Sequence, residues 1–287
     1  MEQVVYINGE LVNRGGACIS AFDRGFLYGY GLFETMRSYG GRVFYLDRHI
    51  ARLADSAAVL GIREALEPEK LEDGVLMTLK ANGQEDARIR LTVTAGKGSR
   101  GIGLPSTGNL TAVISVEKLA LPSAETYAKG LRARIAGVRR NGGSPLCRMK
   151  TLGYLETMLA HAEALAAGCD EAILLNTDGY VAECSASNIF VVEEGSLITP
   201  PADAGILPGI TRGIIIDLAS RLGIELTQQA VSVERMKGAQ EVFITNSVVE
   251  IMPIAAIDGG EVGAGRRGKV TELLATEYRK LTWSNTR

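Results

Sequence analysis

Short apolar runs broken by turn residues open the chain. VVYINGELV sets two such runs around Asn8-Gly9, a pair that favours a tight type I′ turn and therefore a hairpin. GLFETMRSY and RVFYL flank Gly40-Gly41 in the same way. The period then lengthens: Leu46, Ile50, Leu53, Ala57 and Leu60 recur at helical spacing, and Gly61 marks the stop of a helix over residues 47–60. A second helix is expected after Pro68, and ARIRLTVTA and LTAVISVEK read as strands that complete an α/β unit of residues 1–117.

Residues 118–130, KLALPSAETYAKG, lose this periodicity and are expected to link that unit to a larger one of residues 131–287. The second half begins with the strand LRARIAGV, followed by a helix after Lys150 whose Leu152, Leu155, Leu159 and Ala162 form a stripe expected to be buried. EAILLN turns at Thr177-Asp178-Gly179, and SNIFVVEEGSLIT is another hairpin. LPGITRGIIIDLASRLG runs from a loop into a helix, IELTQQAV is a strand, and EVFITNSVVEIMPI gives two strands around a sharp break. A last helix is expected at about residues 268–281. Strands outnumber helices and cluster in hairpins, so the pattern predicts an α+β fold and argues against a regular doubly wound sheet.

Composition narrows the class of partner. The 287 residues are 46% hydrophobic and 22% charged with a formal net charge of -2, which gives no overall electrostatic reason to bind nucleic acid or an anionic membrane. A small molecule or another protein is the expected partner. Cys18, Cys147, Cys169 and Cys184 lie far apart without a CxxC pair, so a reduced compartment and no zinc ribbon are expected. MEQVVYINGE has neither a basic stretch nor an apolar one, and no apolar run reaches the roughly 20 residues of a membrane span, so the expectation is a cytoplasmic protein.

Two familiar motifs fail on their surroundings. Gly96-Lys97-Gly98-Ser99-Arg100-Gly101 matches GxGxxG after a strand, but Ile102-Gly103-Leu104-Pro105 cannot open the helix a pyrophosphate would need. Lys150-Thr151 ends like a phosphate-binding loop, yet Met149 stands where that loop requires glycine. His49 and His161, the two histidines, fall inside expected helices and read as partly exposed residues rather than as a metal pair.

Two other stretches carry chemistry. In LPGITR, Pro208 and Gly209 shape a turn after which the N–H groups of Ile210 and Thr211 would stand at a helix N-terminus, where an anion is favoured; a plain capped helix start explains the same residues. In VAECSASNIF, Glu183 lies among small and apolar residues, and a desolvated carboxylate requires a cationic partner, which an internal arginine could equally supply. The succession of Lys150 before a helix, Glu183, LPGITR and then TNSVVEIMPI resembles the class IV transaminases, the fold type IV enzymes that use pyridoxal 5′-phosphate. The resemblance runs from DRGFLYGYGLFE and HIARLADSA to IDGGEVGAG, nearly the whole chain.

That resemblance implies a small N-terminal α/β domain and a larger β-barrel-like C-terminal domain with the cofactor between them. It makes Lys150 the catalytic residue, forming the Schiff base and later carrying the substrate proton. Glu183 would keep the pyridine nitrogen protonated, and Arg52 would clamp the phosphate, helped by Ile210, Thr211 and Ser247. Tyr154 and Asn188 complete the implied cofactor set, and Phe33, Val248 and Val249 belong to the implied substrate set. Partners would be amino acids, 2-oxo acids and a second copy of the chain in a homodimer.

Three activities share this framework: D-amino-acid transamination, branched-chain L-amino-acid transamination and the aminodeoxychorismate lyase elimination. Arg88 and Arg90 are two apart on one strand and project from one face. Position 88 is usually aromatic in branched-chain enzymes, so Arg88 would charge a pocket meant for leucine. Arg100 aligns with a carboxylate-binding arginine of D-amino-acid transaminases, although Phe33 and Ile102 replace the tyrosine and histidine of those enzymes. These residues favour a D-alanine or D-glutamate transaminase with 2-oxoglutarate as acceptor. Lys237, in ERMKGAQ, reads as a solvated loop lysine that could also approach the substrate.

Overall fold

The computed structural model describes residues 2–98, 101, 103 and 110–284. The chain forms two compact units: one holds the residues up to Ala120 together with Met149–Gly153, the other Leu121–Arg148 and Tyr154–Leu281.

The first unit contains β1 (Val4–Ile7), β2 (Glu10–Asn13), α1 (Arg24–Tyr28), β3 (Gly31–Tyr39), β4 (Arg42–Val43), α2 (Leu46–Val59), α3 (Pro68–Ala81), β5 (Ala87–Thr94) and β6 (Thr111–Lys118). Its antiparallel strands pair in the order β2-β1-β6-β5-β3-β4. Asn8 and Gly9 both take positive φ, 48° and 104°, as the predicted hairpin requires. Ile50, Leu53 and Ala57 of α2 and Leu71, Val75 and Leu79 of α3 share a core with Leu32, Met36, Ile89, Leu91 and Ile114. Alternation along β3 therefore turns Leu32, Glu34 and Met36 toward the helices, and Phe33, Thr35 and Arg37 toward the opposite face.

The Lys150 segment belongs to this unit and not, as the sequence suggested, to the C-terminal one. Phe33 N–H donates to the Lys150 carbonyl at 2.9 Å and Leu152 N–H to that of Gly31 at 3.0 Å, so residues 150–152 pair with the edge of β3 that β4 leaves uncovered. Backbone pairing across more than a hundred residues outweighs continuity along the chain.

The second unit contains α4 (Ala124–Lys129), β7 (Leu131–Arg140), α5 (Leu155–Ala166), β8 (Glu171–Asn176), β9 (Val181–Cys184), β10 (Asn188–Glu193), β11 (Ser196–Thr199), α6 (Ile210–Arg221), β12 (Leu226–Gln228), α7 (Val233–Lys237), β13 (Glu241–Asn246), β14 (Glu250–Ile257), β15 (Gly260–Glu261) and α8 (Lys269–Ser284), the last running past this unit's limit at Leu281. Its mixed sheet pairs in the order β12-β11-β10-β13-β14-β7-β8-β9, with β15 on β14. β9 and β10 lie toward opposite ends of that order yet are joined by three residues, so the sheet must curl like a barrel. Ile173, Val181, Ile189, Val191, Val242, Ile244 and Met252 fill its core.

Three expectations change here. The boundary between the two units falls within residues 118–130, and the later part of that segment is ordered as α4, whose N-cap Ser123 accepts from Thr126 N–H at 3.1 Å. The helix after Lys150 starts only at Leu155, which makes Tyr154 its N-cap rather than a residue one turn in. The stripe expected to be buried faces outward: Leu155 is 67% exposed and Leu159 57%, and Met158 beside them is 63% exposed. The buried face carries Ala160 and Ala164, which pack against Ala136, Ala172 and Leu174. Small side chains let the helix lie close to β7 and β8, and the larger apolar residues are left on the far side.

Candidate active site

In the first unit the side chains singled out in the sequence gather on and around β3. Register places Phe33 opposite Lys150 on the uncovered edge, with both side chains on one face. The Lys150 Nζ stands 4.5 Å from the centroid of the Phe33 ring. Arg90, on the neighbouring β5, lays its guanidinium carbon 3.8 Å from the same centroid, and its Nε donates to Thr92 Oγ1 at 3.3 Å. An amine and a guanidinium thus share one aromatic surface. Arg88 occupies the same face one alternation further along, where it is exposed, with Glu117 on the adjacent strand opposite it. Arg100 and Ile102 lie outside the described residues.

The helix-covered face of β3 holds a buried ionic cluster. Glu34, 1% exposed, accepts from Arg52 Nε at 2.8 Å and from Arg52 Nη2 at 2.6 Å, and His49 Nδ1 bonds to it at 2.8 Å. Burial alone would raise the Glu34 pKa; the Arg52 charge and the bonds from His49 and Arg52 overcome this and bring it down to about 2. An ionised carboxylate has only lone pairs to offer, so Nδ1 of His49 carries the hydrogen. His49 is 1% exposed, against the expectation of a partly exposed helix residue. Burial lowers its pKa, and the nearby charges of Arg52 and Lys150 act in the same direction against the pull of Glu34, so the ring is neutral at pH 7.

In the second unit Glu183 on β9 is buried among directed donors. Arg140 Nη2 reaches it at 2.7 Å, Leu207 N–H at 3.0 Å and Asn188 Nδ2 at 3.5 Å. The cationic partner that the sequence required is therefore Arg140, at the end of β7, which also contacts Glu156 at 3.4 Å and the Gly205 carbonyl at 3.3 Å. Burial works against the Arg140 charge, but Glu183 and its other neighbours hold its pKa above the usual value. Asn188 Nδ2 also donates to the Leu207 carbonyl at 2.8 Å, which fastens the loop before α6 to the glutamate. Gly209 is the N-cap of α6, and a Cβ there would come within 2.0 Å of Asn188 Oδ1. The Ile210 and Thr211 N–H groups stand in the first turn of α6, where Gly209 brings no capping side chain to receive them.

The break between β13 and β14 is set by Asn246. Its Oδ1 accepts from Val248 N–H and Val249 N–H, each at 2.8 Å, and its Nδ2 donates to Ser187 Oγ at 2.9 Å, so Ser247, Val248 and Val249 are held in a fixed turn. Lys237 ends α7 and pairs with Asp258 at 2.8 Å.

Residues 31–257 match the family model described as Amino-transferase class IV. A protein of Methanocaldococcus jannaschii named "Putative branched-chain-amino-acid aminotransferase" is 40% identical over 279 residues, 96% of each chain. The chain belongs to the class IV aminotransferases. An aminodeoxychorismate lyase of Bacillus subtilis is 35% identical over 279 residues, 96% of this chain and 94% of the other. A T.th. branched-chain amino acid aminotransferase solved with pyridoxamine 5′-phosphate superposes with a TM-score of 0.93 at 29% identity, over 100% of this chain and 96% of that one. The family's cofactor is pyridoxal 5′-phosphate, and the fold is that of fold type IV. Within this aminotransferase, sequence reasoning missed Glu34, Arg140 and Asn246. Glu34 was detectable, as the lone charge at core-facing parity between Leu32 and Met36, whereas a register shift in β7 hides Arg140 from any count of alternation.

Proposed function

We propose that this enzyme moves the amino group between branched-chain L-amino acids and 2-oxoglutarate, rather than acting on D-amino acids as Arg88 and Arg100 suggested. What supports this reading, among the described residues, is the surface beside the Lys150 amine: the Phe33 ring with the guanidinium of Arg90 laid on it, while Arg88 is exposed further along the strand. The aromatic ring suits an aliphatic side chain, and Arg90 suits the second carboxylate of glutamate or 2-oxoglutarate. The 40% identity to a protein bearing a branched-chain name points the same way.

The residues present fit pyridoxal 5′-phosphate: an amine on an aromatic surface, a buried ion-paired carboxylate, and a helix opened by a glycine against which Asn188 closes. When bound, the cofactor supplies an aldehyde that takes the amino group and a ring that withdraws electrons from the substrate α-carbon. Lys150 would hold the cofactor, and its amine would carry the proton at that α-carbon. Glu183, kept in place by Arg140 and the Leu207 N–H, would hold the ring nitrogen in its protonated form. Arg52 on the first unit, and the first-turn N–H groups of α6 with Ser247 on the second, would bind the phosphate. Asn246 orders Val248 and Val249 for the substrate. The exposed Leu155, Met158 and Leu159 meet a second copy of the chain, giving a homodimer.

The test is a single half-reaction on the purified holoenzyme, followed by the visible band of the bound cofactor. L-Leucine and L-glutamate are expected to convert the aldehyde form to the amine form, and D-alanine is not. Conversion by D-alanine with no response to L-leucine would overturn the proposal. If neither isomer reacts and aminodeoxychorismate is eliminated instead, the lyase reading favoured by the Bacillus subtilis relative takes its place.

A further inference from the structure

Glu34 and His49 have no part in the roles above, yet with Arg52 they form a deeply buried ionic cluster. Both are 1% exposed, and both engage Arg52 or its partner from elements fixed by the core: Glu34 from β3, between the buried Leu32 and Met36, and His49 from α2, beside the buried Ile50 and Leu53. Two of the three guanidinium nitrogens of Arg52 are gripped by the two carboxylate oxygens in a planar fork. Such a fork fixes the plane of the guanidinium and hence the heading of Nη1. His49 donates to Oε2, the oxygen that also receives Arg52 Nη2, and so sets the carboxylate itself.

We propose that Glu34, oriented by His49, is the positioning residue of the cofactor's phosphate site: it orders Arg52 before the phosphate arrives, so that the phosphate meets a donor already held. The proposal rests on the reading of Arg52 as the phosphate-binding arginine. A long arginine side chain that is free must lose rotamer freedom on binding, and a guanidinium held in advance loses less. Glu34 also offsets the Arg52 charge, which leaves directed hydrogen bonds, rather than net charge alone, to select a phosphate ester. A buried pair that only ties α2 to β3 would show the same distances but would not distinguish phosphorylated from unphosphorylated ligand.

That difference provides the test. Full-length apoprotein is titrated with pyridoxal 5′-phosphate and, separately, with pyridoxal, for the wild type and for Glu34→Gln, His49→Gln and Arg52→Met. Glu34→Gln is expected to weaken pyridoxal 5′-phosphate about ten- to a hundredfold, the loss of one charge-assisted contact, and to leave pyridoxal binding and the visible band of the saturated protein unchanged. His49→Gln should shift the same ratio by a smaller factor, and it carries the test if Glu34→Gln does not fold. Equal weakening of both ligands, or no weakening of either, overturns the proposal. If Arg52→Met itself leaves pyridoxal 5′-phosphate affinity intact, the phosphate reading of Arg52 fails. If Arg52→Met weakens that ligand and neither Glu34→Gln nor His49→Gln does, the positioning role alone fails.

Discussion

Replacing Arg140 by methionine isolates the energetic role of the Glu183 pair. Arg140 and Glu183 are 15% and 11% exposed at their side chains and 2.7 Å apart, so methionine takes the guanidinium away from a carboxylate with little water around it. Removing one partner of a buried pair costs about 3–5 kcal/mol. The Leu207 N–H still donates to Glu183 at 3.0 Å and Asn188 at 3.5 Å, which places the cost near the lower end, about 3 kcal/mol. The Glu156 contact adds little, because Glu156 is half exposed and 3.4 Å away. For a chain of this size that is a fall in Tm of about 6 °C or more. The effect must depend on pH in one direction. The Coulomb attraction lost with Arg140 acts only on the ionised carboxylate, so the deficit of the variant is greatest where Glu183 is charged and shrinks where acid adds a proton to it. Urea unfolding of the apoprotein at pH 4 and pH 8 reads this directly: the gap between variant and wild type should be narrower at pH 4 than at pH 8. Arg140→Lys, which keeps the charge and loses the fork, should recover a good part of the loss. A gap of under about 1 kcal/mol at pH 8, well short of the cost of breaking a buried ion pair, or a gap that does not change with pH, would refute the reasoning.

Leu155→Glu with Leu159→Glu should shift the protein to monomer mass in sedimentation while leaving the unfolding midpoint of each subunit nearly unchanged, since neither side chain is packed within the chain; an unaltered dimer would exclude this face as the interface. Acid should destabilise the protein in two stages. The lowered pKa of His49 means that the unfolded chain takes up the proton first, so stability falls as pH drops below about 6.5; Glu34, held at about 2, adds a loss on the order of 3 kcal/mol between the unfolded carboxylate value near 4.5 and that pH. Urea midpoints that stay constant from pH 7 to pH 3 would contradict both.

Legibility in the sequence followed the range of each interaction. The Asn8-Gly9 turn, α2 with its stop at Gly61, the Pro68 start of α3 and the glycine before α6 were all readable, because each is decided by neighbouring residues. The charge on Glu183 demanded a partner, but the spacing could not say that Arg140, 43 positions earlier, would supply it. The helix α5 was predicted correctly as a helix and wrongly as to its buried side, because period 3.6 reports that a face is apolar and not what covers it. Arg88 and Arg90 were correctly placed on one face; how far each lies from Lys150 depended on the strand pairing and could not be counted along the chain.

By itself, then, the sequence determined the local elements and the α+β class, since these follow from periodicity and turn chemistry. Only the tertiary structure decided that Lys150 shares the Phe33 ring with Arg90, that Glu34 and His49 take hold of Arg52, and that the leucines of α5 face outward. Each of these depends on backbone pairing or packing between segments distant in sequence. The free energy of those contacts comes from burial and directed hydrogen bonds formed only once the sheet is assembled.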